Sequence, residues 1–158
     1  MLLESSDGAS VELRIVGYEF PSAPARDSDA NWLVVEGRVR TADGRAWTFR
    51  DPCLMTDDLP RMSRWLRAVA DGRVPATAVP VPESRLLAFT EPNLAWSVGS
   101  VSADEVVVRT HLSLESAPRL LAGDVELYEY FVELRLTPAA LRGAAAAWDD
   151  EAAHFPVR

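Results

Sequence analysis

The 158-residue chain has no lysine, no glutamine, a single isoleucine and a single cysteine. One thiol cannot close an internal disulfide, so this is not a disulfide-stapled scaffold, and a reducing cytoplasm suits it. No apolar run approaches the roughly 20 residues of a membrane-spanning helix. The opening Met1-Leu2-Leu3-Glu4-Ser5 lacks the basic segment and apolar core of a signal peptide, so the expectation is a cytoplasmic protein away from the membrane. Two histidines, His111 and His154, with only Cys53 to join them, give no zinc spacing. Positive charge is short as well. Sixteen arginines against 24 acidic residues leave a net charge of −8, which argues against nucleic acid as a partner and for a basic protein. The all-arginine, alanine-rich composition reads as GC-rich coding of a bacterial kind. No catalytic, metal-binding or nucleotide-binding motif occurs, and no cofactor is expected.

What is present suits one globular domain over residues 1–158. Apolar residues make up 48% and charged residues 25%, and a chain this long buries roughly two-thirds of its unfolded surface. Strict alternation marks strands. Val11, Leu13 and Ile15 share one face, and at Gly17 the apolar face changes over to Val16, Tyr18 and Phe20, which predicts a bulge or bend. A strand from about Asn31 to Arg40 turns at Asp43-Gly44 and returns over Ala46 to Phe49. Later strands are expected over Arg85–Thr90 and Leu94–Val98. Two long ones follow, with Val106, Val108, Leu112 and Leu114 inward on the first and Tyr128, Tyr130, Val132, Leu134 and Leu136 inward on the second. The class is α+β: a mostly antiparallel, strongly curved sheet or sandwich of seven to eight strands with two helices.

The main break is Asp51-Pro52-Cys53-Leu54-Met55-Thr56. Pro52 removes a donor and forces Asp51 out of the helical region, predicting that pairing stops there. Thr56 suits an N-cap, and Asp57 and Asp58 fall where the helix dipole favours negative charge. Leu59, Met62, Trp65, Leu66 and Val69 form the apolar stripe of a helix over about 57–70, with Arg61, Arg64 and Arg67 on the wet side and Asp57 four residues from Arg61. A second helix, opened by Thr137-Pro138, reaches Trp148 and frays at Asp149-Asp150-Glu151, acids at the wrong end for the dipole. The first helix is expected on the sheet and the second over another edge or opening.

Candidate sites each have a plain reading. Cys53 lacks any neighbour that lowers a thiol pKa, so it reads as a small buried hydrophobe. His111, on a polar strand face, and His154 read as surface residues. Asp27, Asp29 and Asn31 resemble part of a calcium loop but lack its glycine and closing glutamate, so they read as loop residues bonding the backbone. Asp51 and Glu91 each precede a proline at a turn, and sequence position alone does not bring them to a hydrolase separation.

Several words of the sequence taken together resemble the WapI-type immunity proteins of bacterial polymorphic toxin systems. They are Gly17-Tyr18-Glu19-Phe20-Pro21, Asp29-Ala30-Asn31-Trp32-Leu33, Asp51-Pro52-Cys53-Leu54 with Thr56 opening a Trp65-Leu66 helix, Phe89, and Glu91-Pro92-Asn93-Leu94. The likeness spans about residues 10 to 136, with Phe155-Pro156 closing it. It implies an intracellular, non-enzymatic antitoxin that binds a protein toxin domain. The pattern residues Asn31, Trp32, Asp51, Pro52, Cys53, Glu91, Pro92 and Asn93 read as turn and core types. A nuclease-like toxin carries a basic surface, so Asp27, Asp29, Asp149, Asp150 and Glu151 are the candidate toxin contacts. The competing reading, a small-ligand-binding or hydrolytic β-barrel, rests only on the aromatic inner faces of the long strands. Oligomeric state has no signature in the sequence.

Overall fold

Val11, Leu13 and Ile15 all enter the interior from one strand, as their alternation with polar neighbours requires. The computed structural model describes residues 1–24, 28–119 and 126–158. Its elements are β1 (Leu2–Glu4), β2 (Ser10–Tyr18), β3 (Trp32–Arg40), β4 (Ala46–Met55), α1 (Leu59–Ala70), β5 (Leu87–Ala88), β6 (Leu94–Val101), β7 (Val106–Leu112), β8 (Phe131–Leu136) and α2 (Pro138–Ala152). The eight described strands form two four-stranded antiparallel sheets, ordered β1-β2-β3-β4 and β5-β6-β7-β8. The class is the α+β expected, and the sheets curl into a sandwich without closing into a barrel. They meet on two sides. Arg135 N–H on β8 donates to Ser5 Oγ at 2.9 Å, and the Trp47 indole on β4 donates to the Ser116 carbonyl at 2.9 Å. One apolar core runs through both sheets and both helices.

The bulge at Gly17 is present: pairing steps from Ile15–Val35 to Gly17–Val34. The new apolar face is only partly inward, because Val16 and Phe20 are exposed and Tyr18 alone packs on the core. Pro52 does not end the pairing. β4 continues to Met55 through a second bulge, with Val34 opposite Pro52 and Leu33 opposite Leu54. β4 is the edge of its sheet, where a missing donor and an extra residue are tolerated.

The second sheet departs further from expectation. β7 is buried along its whole length, so Arg109 and His111 face inward to protein, not to water. The cause is the proline-rich connection after α1. Thr77 N–H donates to the Val98 carbonyl at 2.8 Å, and Arg109 Nη1 donates to the Thr77 carbonyl at 2.7 Å. The expected Arg85–Thr90 strand shrinks to β5, following a short 3-10 turn at Glu83–Arg85. The strand expected from Glu126 pairs only from Phe131. Tyr128 sits in a turn at φ 66°, its N–H held by Ser113 Oγ at 2.8 Å and its carbonyl by His111 Nδ1 at 2.6 Å. Leu114 also leaves the expected inner face: it is half exposed, at φ 52° in the 3-10 turn Leu114–Ser116.

The helices form a pair and do not cover separate edges. Trp148 of α2, fully buried, donates its indole N–H to the Leu59 carbonyl of α1 at 3.1 Å. Leu59, Met62, Leu66 and Val69 are buried as the stripe requires, but Trp65 is only partly so. Thr56 is not the cap: Asp58 holds the N-cap position of α1, without a side-chain bond to the first turn. Its carboxylate instead closes the preceding 3-10 turn, accepting from Met55 N–H at 2.9 Å, and accepts from Arg61 at 2.7 Å, so the Arg61 partner is Asp58 and not Asp57. Arg67 is likewise no free solvent charge, because it pairs with Asp149 of α2 at 2.5 Å. That pair, and Glu151 accepting from Ile15 N–H at 2.6 Å, carry α2 to Ala152 without the fraying expected at Asp149. No described helix is long and apolar enough to cross a membrane.

Candidate functional site

Where the sheets meet beside β4, acidic side chains from distant parts of the chain converge. Glu19 follows β2, Asp29 lies in the turn before β3, Asp51 and Pro52 belong to β4, Glu91 and Asn93 precede β6, and Glu115 follows β7. With Phe20, Trp32 and Leu114 they line a cleft of about 440 Å³. The left-handed Leu114 directs the chain so that Glu115 comes within reach of Asn93.

Asn93 is the centre of this arrangement and is only 1% exposed. Its carbonyl accepts from Ser113 N–H at 2.9 Å and from the Ser116 hydroxyl at 2.5 Å, which fixes the backbone. Its amide nitrogen donates to Glu115 at 3.0 Å and to Asp51 at 3.4 Å. A neutral donor thus stands among like charges. Burial, then the charges of Glu115, Glu91 and Glu19, raise the Asp51 carboxyl above its ordinary value. Chemically, such a cleft accepts hydrogen bonds and attracts cations. Among the described residues no His, Cys, Asp and Glu are grouped so as to hold a metal ion.

The other sequence candidates fall in various places. Asn31 accepts from Thr56 Oγ1 at 3.0 Å and from Arg158 N–H at 2.9 Å, clasping the C-terminal segment. That segment lies on the Gly17–Pro21 word: the Tyr18 hydroxyl donates to the Pro156 carbonyl at 2.6 Å, and Phe155 meets the Tyr18 ring edge-on. Cys53 is buried, and burial, with Asp51 adding to it, pushes its thiol far up. His111 is 1% exposed, hydrogen-bonded to Ser97 Oγ at 2.8 Å as well as to Tyr128, so the surface reading is wrong. Burial lowers its pKa. Asp27 lies outside the described residues, and Asp29 reaches the cleft rim. Asp149 and Glu151 are engaged within the fold, and Asp150 is exposed.

Sequence reasoning singled out Asp51, Glu91 and Asn93 without bringing them together, and it passed over Glu19 and Glu115. Glu19 lies inside a recognisable word. Glu115 carries no local signal, because the bend that places it occurs at a leucine and not at a glycine.

The family model described as the Immunity protein WapI-like family matches residues 1–156. The chain belongs to that family. No curated protein and no solved structure gives a significant match. Several of the words that carried the resemblance to WapI-like proteins, dispersed in sequence, meet at two places in the fold, the C-terminal clasp around Asn31 and the acidic cleft around Asn93, while Cys53, Leu54, Leu66 and Phe89 belong to the core.

Proposed function

We propose that this WapI-like protein acts as a single cytoplasmic domain that neutralises a toxin domain by binding it, without catalysis of its own. The observation that carries the reading is the acidic cleft. Glu19, Asp29, Asp51, Glu91 and Glu115 are assembled from five separate segments onto one concave surface. Burial and like-charge repulsion raise Asp51, a cost that folding gains nothing from and that a cationic partner relieves. Toxins that act on nucleic acid carry basic surfaces for their substrate, and carboxylates that occupy those surfaces block it. The fully buried Trp96, Trp148, Leu13, Leu33 and Leu134 occupy the interior where a ligand-binding barrel keeps its pocket.

The test is titration of a toxin domain from the same locus with the purified protein, followed by calorimetry and by a toxin activity assay. The expected result is a stoichiometric complex and proportional loss of toxin activity. Full toxin activity at a large molar excess of this protein overturns the reading.

A further inference from the structure

A second concavity runs along β4, shares Leu114 and Glu115 with the acidic cleft, and carries more arginine than carboxylate in its lining. It occupies about 1130 Å³ and is lined by consecutive residues of β4 from Ala46 to Arg50, by Glu36 and Arg38 of β3, and by the segment 114–119. Four arginines, Arg38, Arg45, Arg50 and Arg119, stand against two glutamates, Glu36 and Glu115. The lining thus carries two more positive than negative charges on a chain of net charge −8. Arg38 and Arg45 share their charge with Glu12, Glu36 and Asp43, whereas Arg50 and Arg119 make no ion pair among the described residues. Half-buried Trp47 and the 50% exposed Leu114 add apolar surface to the lining.

We infer that this groove receives an extended acidic segment of the partner protein, an inference that rests on the proposed toxin-binding reading. At about 3.4 Å per residue the stretch from Ala46 to Arg50 matches roughly five residues of extended chain. Alternating carboxylates and small apolar side chains set the carboxylates on Arg50, Arg119 and Arg38, and the apolar groups on Trp47 and Leu114. A nucleic acid fits worse. Its unbroken row of phosphates cannot avoid Glu36 and Glu115 in the lining, whereas carboxylates spaced by apolar residues can. Leu114 and Glu115 border both concavities. A partner spanning that ridge therefore offers basic side chains to one side and acidic ones to the other, and this two-sign pattern rejects uniformly charged competitors.

The experiment compares three proteins in titration with the toxin domain: wild type, the cleft variant D51N/E91Q and the groove variant R38A/R50A/R119A. A synthetic peptide of alternating Glu and Val, and a single-stranded RNA oligonucleotide, serve as competitors. The inference predicts that the groove variant binds at least tenfold more weakly with an unchanged far-UV spectrum, and that the acidic peptide competes with wild type while the RNA does not. A groove variant that binds like wild type overturns the inference and leaves the toxin-binding reading standing. Competition by RNA but not by the peptide overturns it too. A wild-type protein that fails to bind the toxin domain removes both.

Discussion

Asn93, buried ahead of β6, reaches across the junction of the two sheets to Asp51 on β4 at 3.4 Å. The same nitrogen serves Glu115 at 3.0 Å, so one neutral amide holds two carboxylates beside each other. A site designed for stability alone places a cation there. The chain has sixteen arginines, yet none among the described residues lines this cleft, and the charges that raise Asp51 are all negative.

Replacing Asp51 by Asn therefore stabilises the free protein. The isosteric amide keeps an oxygen for Asn93 and removes the repulsion. Because the carboxyl is partly exposed, solvent screening limits the gain to a small one, a rise in Tm of roughly 1–3 °C at neutral pH. The sign follows from linkage. Native Asp51 has a raised pKa, so its unfavourable charge is fully felt above that value and disappears as acid neutralises it. Thermal melts of both proteins at pH 7 and pH 4 are expected to differ at the first and converge at the second.

His111 gives the opposite slope. Its pKa is lowered by burial, so in acid the unfolded chain, with an ordinary histidine near pH 6.5, binds a proton that the native state refuses. Stability falls as the pH drops below about 6.5. Amide exchange is expected to show the loss first in the Tyr128 turn, whose carbonyl bonds to His111 Nδ1. Uniform protection of that turn from pH 7.5 to 5.5 contradicts the assignment of a neutral buried imidazole.

Phe49 lies over Gly37, its register partner on β3. A Cβ added at Gly37 meets Phe49 Cε1 at 2.0 Å. Gly37→Ala is expected to cost about 1–3 kcal/mol in urea unfolding. Combined with Phe49→Ala, much of that cost disappears, because the double mutant removes the clash. Strict additivity contradicts the packing described.

In the helix pair, Trp148→Ala is expected to cost about 3–5 kcal/mol, since it opens a large hole and strips the Leu59 carbonyl of its donor. Trp65→Ala costs less, because that ring is only partly covered. Equal losses in chemical denaturation contradict the observed division of the stripe.

Short-range physics made much of this legible in advance. Alternation located the inward faces of β2, β3 and β8, Gly17 marked its bulge, and Thr137-Pro138 opened α2, with Thr137 Oγ1 accepting from Ala140 N–H at 3.1 Å. What failed was tertiary. Whether Pro52 stops a strand depends on whether that strand is an edge, which composition does not encode. Whether Arg109 and His111 face water depends on where a proline-rich connection packs 30 residues away in sequence. The carboxylates of the cleft were readable singly, as turn residues before prolines. Their convergence rests on Asn93 and on the left-handed Leu114, neither of which has a pattern to announce it.

The association rate of the toxin domain, compared at low and physiological salt for wild type and for the variant D51N/E91Q/E115Q, tests the central claim most directly. The account predicts a wild-type on-rate that falls steeply with added salt and a variant whose on-rate is slower at low salt and nearly flat. Equal rates and equal salt slopes for the two proteins contradict capture by the acidic cleft.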